Sequence, residues 1–250
     1  MKSLSKASKF FFGTTFNSFL NFTTLLGFVF LFITNRDQAL IALIAFCLFL
    51  VALLGRFFWL TENLLKQRHS EGYNKLSTHV LYSTVDGKKI TFSLDKYHQC
   101  KQAVLKEYDH KFLWSGTNMP LVTSNNWMYK ETVVGSNGWA TAKFSSQNAI
   151  LFNSVFLVNI CMELDDTDKK SSTHVHMEVD VPMHLISFDI ELMHKRRGTG
   201  SATLFRKAIG YQGKDVEDIE QVPFDLQKKR YQKSIYNPEP GFIYGVKWDR

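Results

Sequence analysis

Two neighbouring stretches decide the fold of most of this chain. They are Thr173-His174-Val175-His176-Met177-Glu178-Val179-Asp180-Val181 and Leu185-Ile186-Ser187-Phe188-Asp189-Ile190-Glu191-Leu192-Met193. In the first, Val175, Met177, Val179 and Val181 alternate with His174, His176, Glu178 and Asp180. In the second, Ile186, Phe188, Ile190 and Leu192 alternate with Ser187, Asp189 and Glu191. Successive side chains of a strand point to opposite faces, so each stretch reads as a strand buried on one side only. Short runs of the same kind recur from His79 onward. Leu81 to Thr84 and Lys88 to Leu94 flank Asp86-Gly87, a strong hairpin signal. Further runs are Lys111–Trp114, Trp127–Val134, Trp139–Phe144, Ala149–Phe152, Val155–Leu164, Ala202–Tyr211 and Phe242–Trp248. Asp95–Tyr108 reads instead as one short helix, capped by Asp95, with Tyr97, Cys100, Val104 and Tyr108 on a buried face. Many short strands with turn signals indicate an antiparallel sandwich or barrel. Pro240-Gly241 suits a type II turn, and Phe242, Tyr244, Val246 and Trp248 after it are expected to close the core.

The N-terminal part has a different grammar. Of 22 Phe in 250 residues, 13 fall in the first 60. Phe10 to Asn35 carries no charge, and neither does Ala39 to Gly55. A span of about 20 apolar residues crosses a bilayer, so both read as transmembrane helices joined by Asn35-Arg36-Asp37-Gln38. Arg56 and Trp59 suit the interface, one by snorkelling and the other in the aromatic belt. The expected organisation is a basic tail (1–9), a two-helix transmembrane hairpin (10–60), a juxtamembrane linker helix breaking near Gly72 (61–75) and a mainly-β cytoplasmic domain (76–250). Lys2, Lys6 and Lys9 precede the hairpin, and Lys66, Arg68 and Lys75 follow it. The positive-inside rule then puts both termini in the cytoplasm.

Net charge is +7, of which residues 1–66 hold +4, so the remainder is not a histone-like nucleic-acid binder. Cys47, Cys100 and Cys161 are too few and too scattered for a disulfide framework. No nucleophile elbow, His-Glu-x-x-His, kinase or P-loop signature occurs, so neither an enzyme nor a cofactor is expected.

Thr14, Asn17, Ser18, Asn21 and Thr24 form a polar stripe along one half of the first helix. Polar groups avoid lipid, so the stripe faces protein or water. It either bonds helices together or lines a wet vestibule in a homo-oligomer, with Leu25, Phe28 and Phe32 as an apolar gate. In the head, Lys195, Arg196 and Arg197 follow a strand, and Lys228, Lys229 and Arg230 form a second basic cluster. These are solvated loops, a phosphate site, or a contact for lipid or a partner. His174, His176 and Glu178 share one strand face and are candidate metal ligands, or simply a solvated face.

Two helices, a tight exterior loop and a β-rich cytoplasmic head resemble the bacterial two-helix, β-strand-rich effectors of cyclic-oligonucleotide antiphage signalling. The layout is also similar to the two-helix effectors of some retron defence systems. The closing Pro240-Gly241-Phe242-x-Tyr244-x-Val246-x-Trp248 resembles the last strand of β-rich domains in other bacterial defence proteins. The resemblance implies an inner-membrane effector of abortive infection. Its head would sense a cyclic oligonucleotide, or release from a defence-system protein or nucleic-acid complex, and its helices would then make the membrane leaky. The rival reading is a tethered binding module whose helices only anchor it.

Overall fold

The computed structural model describes residues 27, 39–69, 71–114, 118–136, 138–169, 171–195, 200–210 and 216–249. The chain divides into two units, Met1–Asn63 and Leu64–Arg250.

The first unit holds most of helix α1, Ala39–Arg68, 30 residues or about 45 Å long. Its Leu43–Leu65 stretch has a mean hydropathy of 2.4 and is not buried by the protein, so it is long and apolar enough to cross a membrane. Leu48, Leu54, Phe58 and Trp59 are all exposed. A helix apolar all round needs a core or a bilayer, and among the described residues none forms a core around this one. Gly55 and Arg56 do not interrupt it. The Thr61 hydroxyl donates to the Phe57 carbonyl one turn back (2.9 Å), which satisfies its polar group within the helix. α1 is the one such helix among the described residues. The expected first helix, with Thr14, Asn17, Ser18, Asn21, Thr24, Leu25, Phe28 and Phe32, lies outside them, as do the basic tail and the exterior loop. Gly27 alone of that stretch is described, and it is helical and exposed.

The expected linker helix is corrected at its C-terminal half. α1 ends at Arg68, the His69 amide donates to the Leu65 carbonyl, and the Gly72 amide donates to His69. Strand β1, Tyr73–Thr84, then begins at once.

The second unit is mostly β. After β1 come β2 (Lys89–Cys100), β3 (Val104–Phe112), β4 (Leu121–Thr123), β5 (Met128–Val134), β6 (Ala140–Leu151) and β7 (Val155–Asp165). They are followed by β8 (His174–Val179), β9 (Leu185–Leu192), β10 (Ala202–Ala208), β11 (Glu217–Val222), β12 (Phe224–Asp225), β13 (Arg230–Tyr236) and β14 (Phe242–Lys247). Three sheets result, ordered β12-β13-β9-β1-β2-β7-β4, β11-β10-β14-β8 and β3-β6-β5. β1 pairs antiparallel with β2 but parallel with β9, so the large sheet is mixed, not purely antiparallel as expected. Among the described residues the strand order of each sheet is open, with no pairing between its first and last strands.

One face of the large sheet makes the core. Val80, Leu94, Ile160 and Phe188 lie in register across four strands, and they and Ile190 are buried. The four-stranded sheet packs there through Val246 and Trp248, whose ring meets Tyr82 at 4.9 Å. The three-stranded sheet packs on the same face through Tyr108 and Phe144, with Trp127 beside Phe156. The closing strand behaves as its alternation indicates, with Tyr244, Val246 and Trp248 buried. Gly245 sits opposite His176 because nothing larger fits: a Cβ there would lie 2.5 Å from the Phe205 ring and 2.6 Å from the Val175 carbonyl oxygen.

The expected helix Asp95–Tyr108 is wrong. Its residues finish β2 and begin β3, and no helix occurs among the head's described residues beyond the end of α1. The reason is chemical. The inward row of β2 runs Ile90, Phe92, Leu94, Lys96, His98, Cys100, so it turns polar halfway along. That hides the period of two, while Tyr97, Cys100, Val104 and Tyr108 imitate a helical spacing by chance.

Candidate functional site

The described start of the first basic cluster, up to Lys195, lies at the same end of the large sheet as the second cluster. β9 and β13 are antiparallel neighbours with Glu191 opposite Arg230, so the segment after β9 lies beside the turn before β13. Three loops are stitched together at this end of the large sheet. The Met193 amide donates to the Thr84 carbonyl (3.0 Å), and the Leu192 amide donates to the Lys229 carbonyl (2.9 Å). A Cβ on Gly87 would lie 3.3 Å from His194 Nε2. Gly87 has φ 73°, which glycine alone tolerates easily in the tight β1–β2 turn. Asp86 accepts from the Lys88 and Lys89 amides, and Asp225 from those of Gln227 and Lys228. These backbone donors hold both carboxyls below their usual range.

Most of the cations here are committed. Lys195 is buried, and its Nζ donates to the Asp249 carbonyl at 2.7 Å; burial lowers its pKa. Lys229 Nζ donates to the Met193 carbonyl at 3.2 Å. Arg230 Nη1 donates to Asp189 Oδ2 at 2.8 Å. Lys228 and Lys88 are exposed. Arg196 and Arg197 lie outside the described residues. The same loops carry three exposed apolar side chains, Val85, Met193 and Leu226. This end of the sheet therefore presents apolar tips among basic residues whose best phosphate fork, Arg230, is already paired.

Asp189 is the exception to the alternation of β9. It lies on the polar face of the strand yet is only 5% exposed, and its Oδ1 has no partner among the described residues. Burial raises its pKa against the pull of Arg230.

His174 and His176 stack at 5.4 Å on β8, and Glu178 follows on the same exposed face. No group of three metal-ligating side chains forms among the described residues.

Sequence reading missed a polar cluster between the large and three-stranded sheets. His98 is 1% exposed, and among the described residues neither ring nitrogen makes a well-formed hydrogen bond. Its ring lies 4.4 Å from Tyr73 and 5.4–5.5 Å from Phe156 and Tyr108. Burial, then the Lys96 and Lys75 cations, bring its pKa down to about 3. His110 is also buried, 3.3 Å from Lys96 Nζ through Nδ1, and burial holds its pKa well below the usual value. Burial lowers that of half-buried Lys96 to about 8 and raises those of both tyrosines. At the rim, Lys75 bonds both oxygens of Asp180 at 2.8 and 2.9 Å and lies 3.3 Å from Glu71. Burial works against the charge of Lys75, but these carboxylates outweigh it and raise the pKa. The signal was present: Lys96 and His98 continue the register of Leu94.

No family model and no curated protein matches this chain. The fold has a low-level likeness to several solved structures. One is an M1 zinc metallopeptidase from Deinococcus radiodurans bound to a Tyr-Ser-Ala substrate: TM-score 0.37, 9% identity, covering 70% of this chain and 42% of that one. Another is yeast LTA4 hydrolase, at 0.38 and 12%, covering 72% and 30%. A third is baculovirus P35, at 0.36 and 7%, covering 73% and 99%. The chain thus spans less than half the length of the metallopeptidase. Likeness at this level says nothing about activity.

Proposed function

We propose that this protein is a membrane-disrupting effector of a bacterial antiphage abortive-infection system. Its β-rich head receives the trigger, and helices in the inner membrane, a hairpin in each copy of a homo-oligomer, carry out the disruption. The observation that carries this reading is the shortness of the junction. Four residues separate the end of α1 from β1, and β1 is an inner strand of the largest sheet. A rearrangement of the head is therefore passed to the helix with little slack. A mere anchor requires no such junction, because a flexible linker would tether equally well. The polar stripe from Thr14 to Thr24 fits the same reading, since in an oligomer it can line a wet path as well as bond helices together.

The trigger enters at the basic end of the sheet. Exposed Val85, Met193 and Leu226 among engaged cations suit a protein surface better than a bare phosphate. This favours release from a partner complex over a nucleotide signal. To test the junction, ten Gly/Ser residues are inserted after His69. The inserted protein is expected to accumulate in the membrane, fold its head and lose toxicity on overproduction. Full toxicity with the insertion would show that head and helix act independently, as in the anchor reading.

A further inference from the structure

Two histidines are buried among the described residues, His98 on β2 and His110 on β3. Both lie where the three-stranded sheet packs on the large one. His98 meets Tyr108 of the three-stranded sheet with ring centroids 5.5 Å apart, and His110 reaches back to Lys96 of the large sheet. Both ring nitrogens of His98 and Nε2 of His110 lack a well-formed hydrogen bond among the described residues.

The surroundings are wrong for an imidazolium. β1 presents Tyr73 and Lys75, β2 Lys96, β3 Tyr108 and β7 the apolar Phe156. Lys96 and Lys75 oppose a charge on His98, the Asn74 backbone favours it, and Lys96 opposes a charge on His110. The carboxylates in the neighbourhood, Glu71 and Asp180, are already held by Lys75 at the rim. A proton on either ring therefore buries a cation with no carboxylate in ion-pair contact among the described residues. The four-stranded sheet is joined to the core differently, by Val246 and by Trp248 against Tyr82, and none of its described residues is a buried histidine.

The path of the chain makes the three-stranded sheet separable. β3, β5 and β6 belong to one excursion, residues 101–154, which leaves the large sheet at the end of β2 and returns at the start of β7. It is closed at its base, where the Cys100 amide donates to the Ser154 carbonyl at 2.9 Å and the Asn153 amide to the Cys100 carbonyl at 2.8 Å. Its remaining strand, β4, is three residues at the margin of the large sheet. The layer can thus leave while β1, β2, β7, β9 and β13, and the four-stranded sheet, keep their own ladders.

We infer that residues 101–154 form an acid-released layer. Protonation of His98 and His110 detaches the three-stranded sheet from the large sheet as one unit, ahead of unfolding of the rest of the head. Once the rings reach water they take protons near pH 6.5. Each histidine then favours the opened state by about tenfold for every pH unit below that value. The layer is held above pH 6.5 and lost as pH falls. Opening uncovers Tyr108, Trp127 and Phe144, which are buried in the closed head.

The test is hydrogen–deuterium exchange on the full chain in detergent, equilibrated from pH 7 to 4 and labelled in a brief pulse at one common pH. Peptides from β3, β5 and β6 are expected to lose protection together, with a midpoint about one pH unit above that of β9, β13 and β14. His98→Phe should roughly double the distance of the first midpoint below pH 6.5, because one proton then does the work of two. Lys96→Met, which removes the cation facing both rings, should shift it in the same direction. His184→Gln, at an exposed histidine, should move neither midpoint. Loss of protection by all these strands at one midpoint would overturn release of a separate layer. A first midpoint unmoved in both His98→Phe and Lys96→Met would overturn the role of the histidines, and Lys96→Met decides alone where His98→Phe does not fold.

Discussion

Replacing Arg230 by Met should lower the stability of the head by about 3 kcal/mol, the range seen when one member of a buried ion pair is removed. Asp189 is buried; among the described residues Arg230 Nη1 at 2.8 Å bonds its Oδ2, and Oδ1 has no partner. Without the guanidinium the carboxylate keeps its desolvation penalty and loses its compensation. The converse change is far milder. Burial already outweighs Arg230 in setting the Asp189 pKa, so the ionised carboxyl opposes folding on balance. A raised carboxyl pKa stabilises the folded state below the unfolded value near 3.8, and the benefit disappears as pH rises through the folded value. At pH 7 the cost is present in full, and Asp189→Asn removes it. Asp189→Asn should therefore change stability by less than about 1 kcal/mol, because the Arg230 left behind is partly solvated. Urea unfolding of the full chain in detergent, followed through tryptophan fluorescence, measures both. Equal losses would mean that the pair acts as a surface bridge.

Acid should unfold this head steeply, and His98→Phe should blunt the effect. His98 and His110 are neutral in the folded state, with pKa values held far below the unfolded value near 6.5. Below pH 6.5 the unfolded chain binds protons at these positions and the folded one does not. Stability present above pH 6.5 is therefore lost as pH falls toward the folded values, which for His98 means toward about 3. Two such groups give a slope of up to about 2.7 kcal/mol per pH unit between pH 6 and 4. His98→Phe removes one proton and two ring nitrogens that lack well-formed hydrogen bonds among the described residues, and it offers a ring of similar size to Tyr73, Tyr108 and Phe156. The acid slope should fall by about half, with stability at pH 7 unchanged or higher. Denaturant midpoints from pH 7 to 4 for both proteins provide the check. An unaltered slope in His98→Phe would show that His98 already reaches solvent and takes up its proton in the folded state.

The elements legible in the sequence are those whose inward residues are all apolar. The Asp86-Gly87 hairpin, β8, β9 and β14 follow their alternation closely. β2 was half legible, because Lys96 and His98 face inward after Leu94. β13 was read only as a basic cluster, since Arg230, Gln232 and Lys233 mask the inward Tyr231 and Ile235. Missing that strand hid that Lys195 and the second basic cluster share one end of the large sheet, which follows only from the β9–β13 pairing. The parallel β1–β9 contact joins residues more than a hundred positions apart, and no local pattern encodes it. The exposed β6–β7 turn was equally hidden. Leu151, Phe152 and Val155 have the composition of buried strand residues, and only the topology shows them uncovered.

The central claim is that the helices breach the membrane and do more than hold the head. Membrane potential measured in bacteria expressing the full chain from a tight promoter tests it most directly. Residues 67–250 alone and the Asn17→Leu/Asn21→Leu double variant serve as comparisons. The effector reading requires depolarisation by the intact chain, and normal potential with the head alone or with the double variant. Depolarisation that persists undiminished when both asparagines are leucine would contradict a polar path along the first helix. A normal potential with well-inserted intact chain, both alone and during phage infection with the neighbouring genes present, would leave an anchor.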